Sequence, residues 1–319
     1  MVNDPRMYKP APTHEKKYRK RLQVPFLFKT DLSRYDRSMK FTKMHGAGND
    51  YLYVDCFEQS VPEDAAEIAQ LVSHRHFGVG GDGIIFICRS EAADVRMQMH
   101  NADGSQAEMC GNGIRCLAKY AYDHGLSRKR EMRVETGAGI LSLKLHLGKD
   151  EKVKEVTVDM GAPILNAPEI PTTVVESGQV VDCPVDFNGN QFNVTCVSMG
   201  NPHCVIFVPE LTDELVLGCG PIIEKDPRFP NRINVEFVEV LSPTEVRQRT
   251  WERGSGETWA CGTGASAVCV AGKLTKRTDR KIRNHLLGGD LILEWDEVTD
   301  HVMMTGGAVE VFQGEWPEG

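Results

Sequence analysis

Two stretches of this chain read alike: Arg96-Met-Gln-Met-His-Asn101-Ala-Asp-Gly-Ser-Gln-Ala-Glu-Met-Cys110-Gly-Asn-Gly113, and Arg247-Gln-Arg-Thr-Trp-Glu252-Arg-Gly-Ser-Gly-Glu-Thr-Trp-Ala-Cys261-Gly-Thr-Gly264. The arginines, the cysteines and the Asn101/Glu252 positions share one offset of 151 residues. The likeness extends in both directions. Met44-His-Gly-Ala-Gly-Asn49 answers to Met199-Gly-Asn201, and Phe77 to Phe229, each at 152. Gly83 answers to Asn234, and Gly137 before Ile140-Leu141 to Gly288 before Leu291-Ile292, each at 151. An ordered series of matches at a nearly constant offset marks a duplicated domain rather than a chance repeat.

Within one copy the pattern is mixed α and β. Lys43 to Asp55 reads as a strand-loop-strand unit, with Tyr51, Tyr53 and Val54 favouring extended backbone. Ser60-Val-Pro62-Glu63 has the form of a capping box, and Ala65, Ile68, Ala69 and Val72 behind it fall on one helical face. Gly83 to Cys88 is a short apolar strand, and Arg96 to His100 alternates. A glycine-rich turn then leads into a second helix with Ile114, Leu117, Ala118 and Ala121 on one face and Gly125 as its stop. Ala265, Val268 and Cys269 repeat that face, and strands follow at Ile140 to Leu147 and Leu291 to Trp295. Strands and helices do not alternate in βαβ fashion, so the expected class is α+β rather than a doubly wound parallel sheet.

The chain's 319 residues suit two units of ordinary size, and 41% hydrophobic content is enough for real cores. No apolar run reaches the roughly 20 residues of a membrane span. A net charge of −8 argues against nucleic acid as the main partner. Residues 1–38 hold ten Lys/Arg and four Asp/Glu, a surplus of six positive charges that leaves the remainder at −14. With only Ser33 and Ser38 and with acids present, this segment is a poor transit peptide and has no secretory apolar core, so it reads as a basic extension. The ten cysteines form no Cys-x-x-Cys, and reduced thiols in a cytoplasmic protein are the expectation.

Each copy places Cys-Gly-x-Gly just before a helix. The first N–H groups of a helix are unpaired and carry the positive end of its dipole, so they bind a carboxylate and favour thiolate over thiol. One such site would suit a nucleophilic cysteine. Two, related by duplication, can set thiols on opposite faces of one small ligand, one to remove an α-proton and the other to return a proton. That is stereoinversion by general acid–base catalysis. His45, His74, His76, His100 and His203 show no paired ligand spacing with cysteine, so no metal site is expected.

These motifs, with Phe41-Thr-Lys-Met-His-Gly-Ala-Gly-Asn-Asp-Tyr51, Met199-Gly-Asn-Pro-His203 and Glu252-Arg-Gly-Ser-Gly-Glu257, resemble the motif set of the diaminopimelate epimerases over about residues 39 to 319. The resemblance implies two pseudo-symmetric halves, each a β-barrel-like sheet around a central helix, with the active site in the cleft between them. It places the first half at 39–158 and the second at 159–306, with 307–319 returning to the first. It implies interconversion of LL- and meso-2,6-diaminopimelate on the way to lysine and peptidoglycan, in a homodimer, with no cofactor and no metal. Carried over by motif, Cys110 and Cys261 are the proton-transfer pair. Asn49, Asn101, Asn201, Asn234, Glu252 and Arg253 would hold the substrate. The backbone at Gly111-Asn112 and Gly262-Thr263 would grip the reacting carboxylate, and His203 and Glu252 would tune the thiols.

One departure is Gly83, where many members of the family carry glutamine. Proline racemase and hydroxyproline epimerase also use two cysteines but read Cys-Gly-His-Gly where Asn112 stands here. The phenazine-pathway isomerase relatives lack the cysteine pair. A binding paralogue without catalysis is disfavoured by the intact cysteines and glycine loops. Because every motif follows residue 38, deleting 1–38 is expected to leave kcat within a few-fold. A collapse of turnover in a folded truncation would show that the extension completes the site.

Overall fold

The computed structural model describes residues 38–317; residues 1–37 of the basic extension lie outside that range. The first series of elements is β1 (Met39–Gly46), β2 (Asn49–Asp55), α1 (Ala65–Ser73), β3 (Gly83–Cys88), β4 (Val95–Asn101), β5 (Gln106–Ala107), α2 (Gly111–Asp123), β6 (Glu131–Thr136), β7 (Gly139–Leu147) and β8 (Val153–Asp159). The second is β9 (Cys183–Phe187), β10 (Asn190–Ser198), β11 (Pro202–Val208), α3 (Gly220–Glu224) preceded by a π-turn at Glu214–Cys219, β12 (Asn234–Ser242), β13 (Glu245–Glu252), β14 (Gly256–Thr258), α4 (Gly262–Leu274), β15 (Lys281–Leu286), β16 (Gly289–Trp295) and β17 (Val302–Gly307). A last strand, β18 (Val309–Trp316), pairs antiparallel with β1, from Met39 opposite Trp316 to His45 opposite Val309.

The duplication read from sequence is written into the strand register. Ile84 faces His100 in β3–β4, and 151 residues on Val235 faces Trp251 in β12–β13. Met99 faces Ala107 where Thr250 faces Thr258, and Glu131 faces Lys144 where Lys281 faces Glu294. Tyr51 lies beside Gly83 in β2–β3, and His203 lies beside Asn234 in β11–β12. All strands join one continuous sheet system, closed between the two series by β8 on β17, where Thr157 and Thr305 meet hydroxyl to hydroxyl at 2.6 Å.

The β2–β3 and β11–β12 pairings are parallel, as are β4–β6 and β13–β15. The expected absence of βαβ units therefore needs correction: β2-α1-β3 is a crossover of that kind. The sheet is still mostly antiparallel, since these parallel contacts are isolated pairs between hairpins. A second correction concerns α1. Ser60 does not cap it. The chain makes a turn at Glu63–Asp64 first, and the helix begins at Ala65 with Asp64 as N-cap and no side-chain cap bond.

Both central helices are wrapped by their own strands. Ile114, Leu117 and Ala121 of α2 and Ala265, Val268 and Cys269 of α4 belong to one buried core that runs through both series. A smaller core under β9–β12 gathers Phe187, Phe229 and Phe237. Gly125, at φ +82°, lets the chain turn away after α2. Leu117 is fully buried, so Leu117→Ala is expected to cost roughly 2–5 kcal/mol of stability in a urea melt. A change under about 0.5 kcal/mol, the range of ordinary surface substitutions, would mean that α2 is not a core element.

Candidate active site

The two cysteines are the N-caps of the two central helices. Cys110 (φ −138°, ψ 116°) accepts at Sγ from the Gly113 N–H at 3.3 Å, and Cys261 (φ −118°, ψ 109°) accepts from the Gly264 N–H at 3.4 Å. Sulfur thus stands where a serine or aspartate oxygen usually caps a helix. The helix ends face each other at close range. A Cβ on Gly262 would lie 3.8 Å from the Gly111 Cα and 3.1 Å from Met304 Sδ, so side chains are excluded at the junction. Asn112 ties the ends together by donating from Nδ2 to the Ala260 carbonyl at 3.1 Å. Arg115, fully buried, holds Asn112 in turn, donating from Nη1 to Asn112 Oδ1 at 2.9 Å and to the Gly111 carbonyl at 3.1 Å.

A cleft of about 500 Å³ opens at this junction. Of the residues expected from sequence, Asn49, Asn101, Cys110, Gly111, Asn112, Asn201, Glu252, Cys261, Gly262 and Thr263 line it. His203 lies behind the wall, fully buried. Asn234 is also buried, and its amide is spent on the backbone: Nδ2 donates to the Pro202 carbonyl at 2.9 Å, and Oδ1 accepts from the Arg253 N–H at 2.9 Å. Arg253 itself is exposed, its guanidinium donating to the Asn231 carbonyl at 3.0 Å rather than into the cleft. Asn234 therefore anchors the Arg253 turn, and Glu224 supports the same turn by accepting from the Gly254 N–H at 3.1 Å.

Gly83 has no room for a side chain. A Cβ there would come within 2.1 Å of the His100 carbonyl oxygen and 2.8 Å of Tyr51 Cε1, so the Tyr51 ring, which lines the cleft, fills that place. On the same side Cys110 Sγ donates to Asn49 Oδ1 at 3.2 Å. Asn49 is oriented by Asp82, whose Oδ2 accepts from Asn49 Nδ2 at 2.7 Å and whose Oδ1 pairs with Arg75 at 2.8 Å.

The surroundings of the two thiols differ at repeat-related positions. Beneath α2 a Cβ on Gly113 would strike Ile85; beneath α4 one on Gly264 would strike Glu236. Tyr51 on the first side is matched by His203, Asn101 by Glu252, and Arg115 by Ser266. His203 Nδ1 donates to Glu236 Oε1 at 2.8 Å with both side chains fully buried, and its Nε2 lies 3.0 Å from Asn201 Oδ1. Burial raises both thiols above the usual cysteine range. For Cys110 the N–H groups of Gly113 and Asn112 and the Arg115 cation pull back down. For Cys261 the Glu252 and Glu236 carboxylates push further up. Glu252 is itself raised by burial and accepts from Thr258 Oγ1 at 2.5 Å.

A sequence profile for diaminopimelate epimerase matches residues 41–165 and 195–311. Diaminopimelate epimerase from Brachyspira hyodysenteriae is 54% identical over 277 residues, covering 86% of this chain and 98% of that protein. The one from Acetivibrio thermocellus is 54% identical over 279 residues, covering 87% and 98%. The chain belongs to the diaminopimelate epimerase family. Solved structures share its fold at low identity. A hydroxyproline epimerase from Agrobacterium vitis superposes with a TM-score of 0.59 at 16% identity, over 88% of this chain and 92% of that one. A phenazine biosynthesis protein of Bacillus anthracis gives 0.61 at 17%, over 88% and 99%. These likenesses speak to fold alone.

Within this epimerase fold, sequence reading missed Tyr51, Asp82, Arg115, Glu224 and Glu236. The signal for Glu236 was present: it stands 151 residues after Ile85, a carboxylate aligned with an apolar core position. Removing that carboxylate takes away a like charge and should lower the Cys261 pKa. In Glu236→Gln, alkylation of Cys261 by iodoacetamide, followed by peptide mass spectrometry across pH, is expected to begin at lower pH, with Cys110 unmoved. A Cys261 profile that stays in place would exclude Glu236 from control of that thiol.

Proposed function

We propose that this family member interconverts LL- and meso-2,6-diaminopimelate by proton transfer between Cys110 and Cys261, with no cofactor and no metal. The observation that carries this reading is the meeting of two cysteine-capped helix N-termini in one cleft. An α-carboxylate seated at Gly111-Asn112 and Gly262-Thr263 would meet helix-end N–H groups from both sides. These donors would stabilise the negative charge that grows on the substrate as its α-proton leaves. The thiolate on one face takes that proton, and the thiol on the other face gives its own to the carbon. The two sulfurs thereby exchange roles, and the next turnover runs in reverse.

Burial holds both thiols above their usual range. An arriving α-ammonium would bring the positive charge that favours a thiolate beside it. Glu252 pushes up both thiols, but only Cys110 has the Arg115 cation near and only Cys261 has Glu236 as well, so Cys110 is the thiol that ionises first and Cys261 the one that keeps its proton. Asn49, Asn101, Asn201 and Glu252 are placed to hold the rest of a zwitterionic substrate. Asn234 would act indirectly, by fixing the turn that carries Arg253, and the Arg253 guanidinium would serve the distal carboxylate. We read residues 39–158, with 307–319 returning to them, and 159–306 as the two halves of each subunit of a cytoplasmic homodimer that acts on a small molecule and not on nucleic acid or membrane. Among the described residues no helix is long and apolar enough to cross a bilayer.

Deuterium exchange in heavy water, with reductant and chelator and no added cofactor, tests the mechanism. The wild-type protein should invert either isomer under these conditions. Cys110→Ala and Cys261→Ala should each lose inversion. Each should keep some exchange, one with the LL isomer and the other at the D centre of the meso isomer. Near wild-type inversion by either variant would leave the paired Cys-Gly-x-Gly motifs as carboxylate binders only.

A further inference from the structure

The fold brings together a donor set that sequence spacing did not connect. His203 comes from β11, Glu236 from the adjacent β12 and Cys261 from the start of α4. One ligand atom from each lies within 4.8 Å of the others, and all three residues are buried. One nitrogen, one carboxylate oxygen and one sulfur make a borderline-soft set of the kind that selects zinc over magnesium or calcium. Three protein ligands with a fourth position open is the arrangement of accessible zinc centres. Here the open side is the cleft, which Cys261 lines.

Two details point to a ligand rather than to packing alone. Glu236 Oε2 is fully buried and has no hydrogen-bond partner, so half of this carboxylate is unused at a site where an unsatisfied charged oxygen is costly. The second detail is Asn201. Its Oδ1 lies 3.0 Å from His203 Nε2, on the far side of the ring from Glu236. A metal-bound imidazole needs its other N–H held by an acceptor, and Asn201 already stands there. The repeat-related cluster around Cys110, with Tyr51 and Ile85 in place of His203 and Glu236, offers no such set.

We propose that His203, Glu236 and Cys261 form a zinc site that switches the protein off reversibly. On binding, the ion takes the place of the proton that His203 Nδ1 shares with Glu236 Oε1. In the neutral ring that proton moves to Nε2 and is accepted by Asn201. The Cys261 thiol releases its proton to solvent, and its sulfur bonds the metal. Glutamate and thiolate together balance the two charges of the ion. Ligand atoms around zinc stand about 3.3–3.8 Å apart, so the cluster closes by roughly an ångström. Inhibition rests on the reading of Cys261 as a catalytic thiol; binding does not.

Cobalt(II) titrated into reduced, metal-stripped protein separates the two. One equivalent should give the near-ultraviolet thiolate-to-cobalt band and the visible bands of tetrahedral cobalt, and one equivalent of zinc should abolish them. The bands should survive in Cys110→Ala and vanish in Cys261→Ser. Glu236→Gln, with native circular dichroism, should weaken zinc binding at least about tenfold. Zinc should stop α-proton exchange and inversion, and excess chelator should restore both. Bands that persist in Cys261→Ser, or that disappear in Cys110→Ala because the metal bridges the two cleft thiols, would overturn the assignment. So would absence of any band with the wild-type protein, a result that leaves the two-thiol mechanism untouched. Stoichiometric binding with unchanged turnover would overturn the inhibitory role, and would count against Cys261 as a catalytic residue.

Discussion

The structure turns on one constraint: two helices must end, N-terminus toward N-terminus, within contact distance. Like ends of helix dipoles repel, and each end leaves N–H groups unpaired. Several features relieve that conflict. Glycines at 111 and 262 let the backbones approach, and the Asn112 amide reaches across to the Ala260 carbonyl. The cysteine sulfurs absorb one N–H each. What remains is a pocket at the positive ends of two helices, an environment that favours an anion, and the sheet wrapped around both helices keeps it in place.

Chemical direction comes from breaking the symmetry that duplication supplied. The backbone register of the two series is nearly the same, yet the side chains beneath the caps have diverged. An apolar Ile85 faces one helix start and a buried Glu236 the other; a cation at 115 is matched by the small Ser266. Two identical thiols would compete for the same protonation state. Unequal surroundings let one sit nearer to thiolate while the other keeps its proton, which a two-base inversion requires before substrate arrives.

Much of this was legible in sequence because it rests on local rules. Cys-Gly-x-Gly at a helix start, the apolar faces of α2 and α4, and the constant offset between copies all depend on neighbours along the chain. What stayed hidden depends on contacts between distant segments. Glu236, Asp82 and Arg115 matter through what they face across strands or beneath a helix, and nothing in their own neighbourhoods announces it. The Ser60 capping signature misled because Asp64, just before the helix, offered a start after the turn that Pro62 opens. The parallel β2–β3 pairing was missed because α1 is short and the strands around it otherwise read as hairpins.

The pairing of β18 with β1 has a consequence for how the chain is made. Met39 finds its partner at Trp316, so among the described residues the strand made earliest waits for the one made latest. Until then β1 exposes an unpaired edge bearing Met39, Phe41 and Met44, the sort of edge that invites pairing with another chain. The β8–β17 seam is likewise delayed, since β17 arrives nearly 150 residues after β8. Contacts of such long sequence separation fold slowly. The β1 edge can therefore be covered only after the whole intervening chain has been made, which puts the closing contact of this sheet among the latest to form.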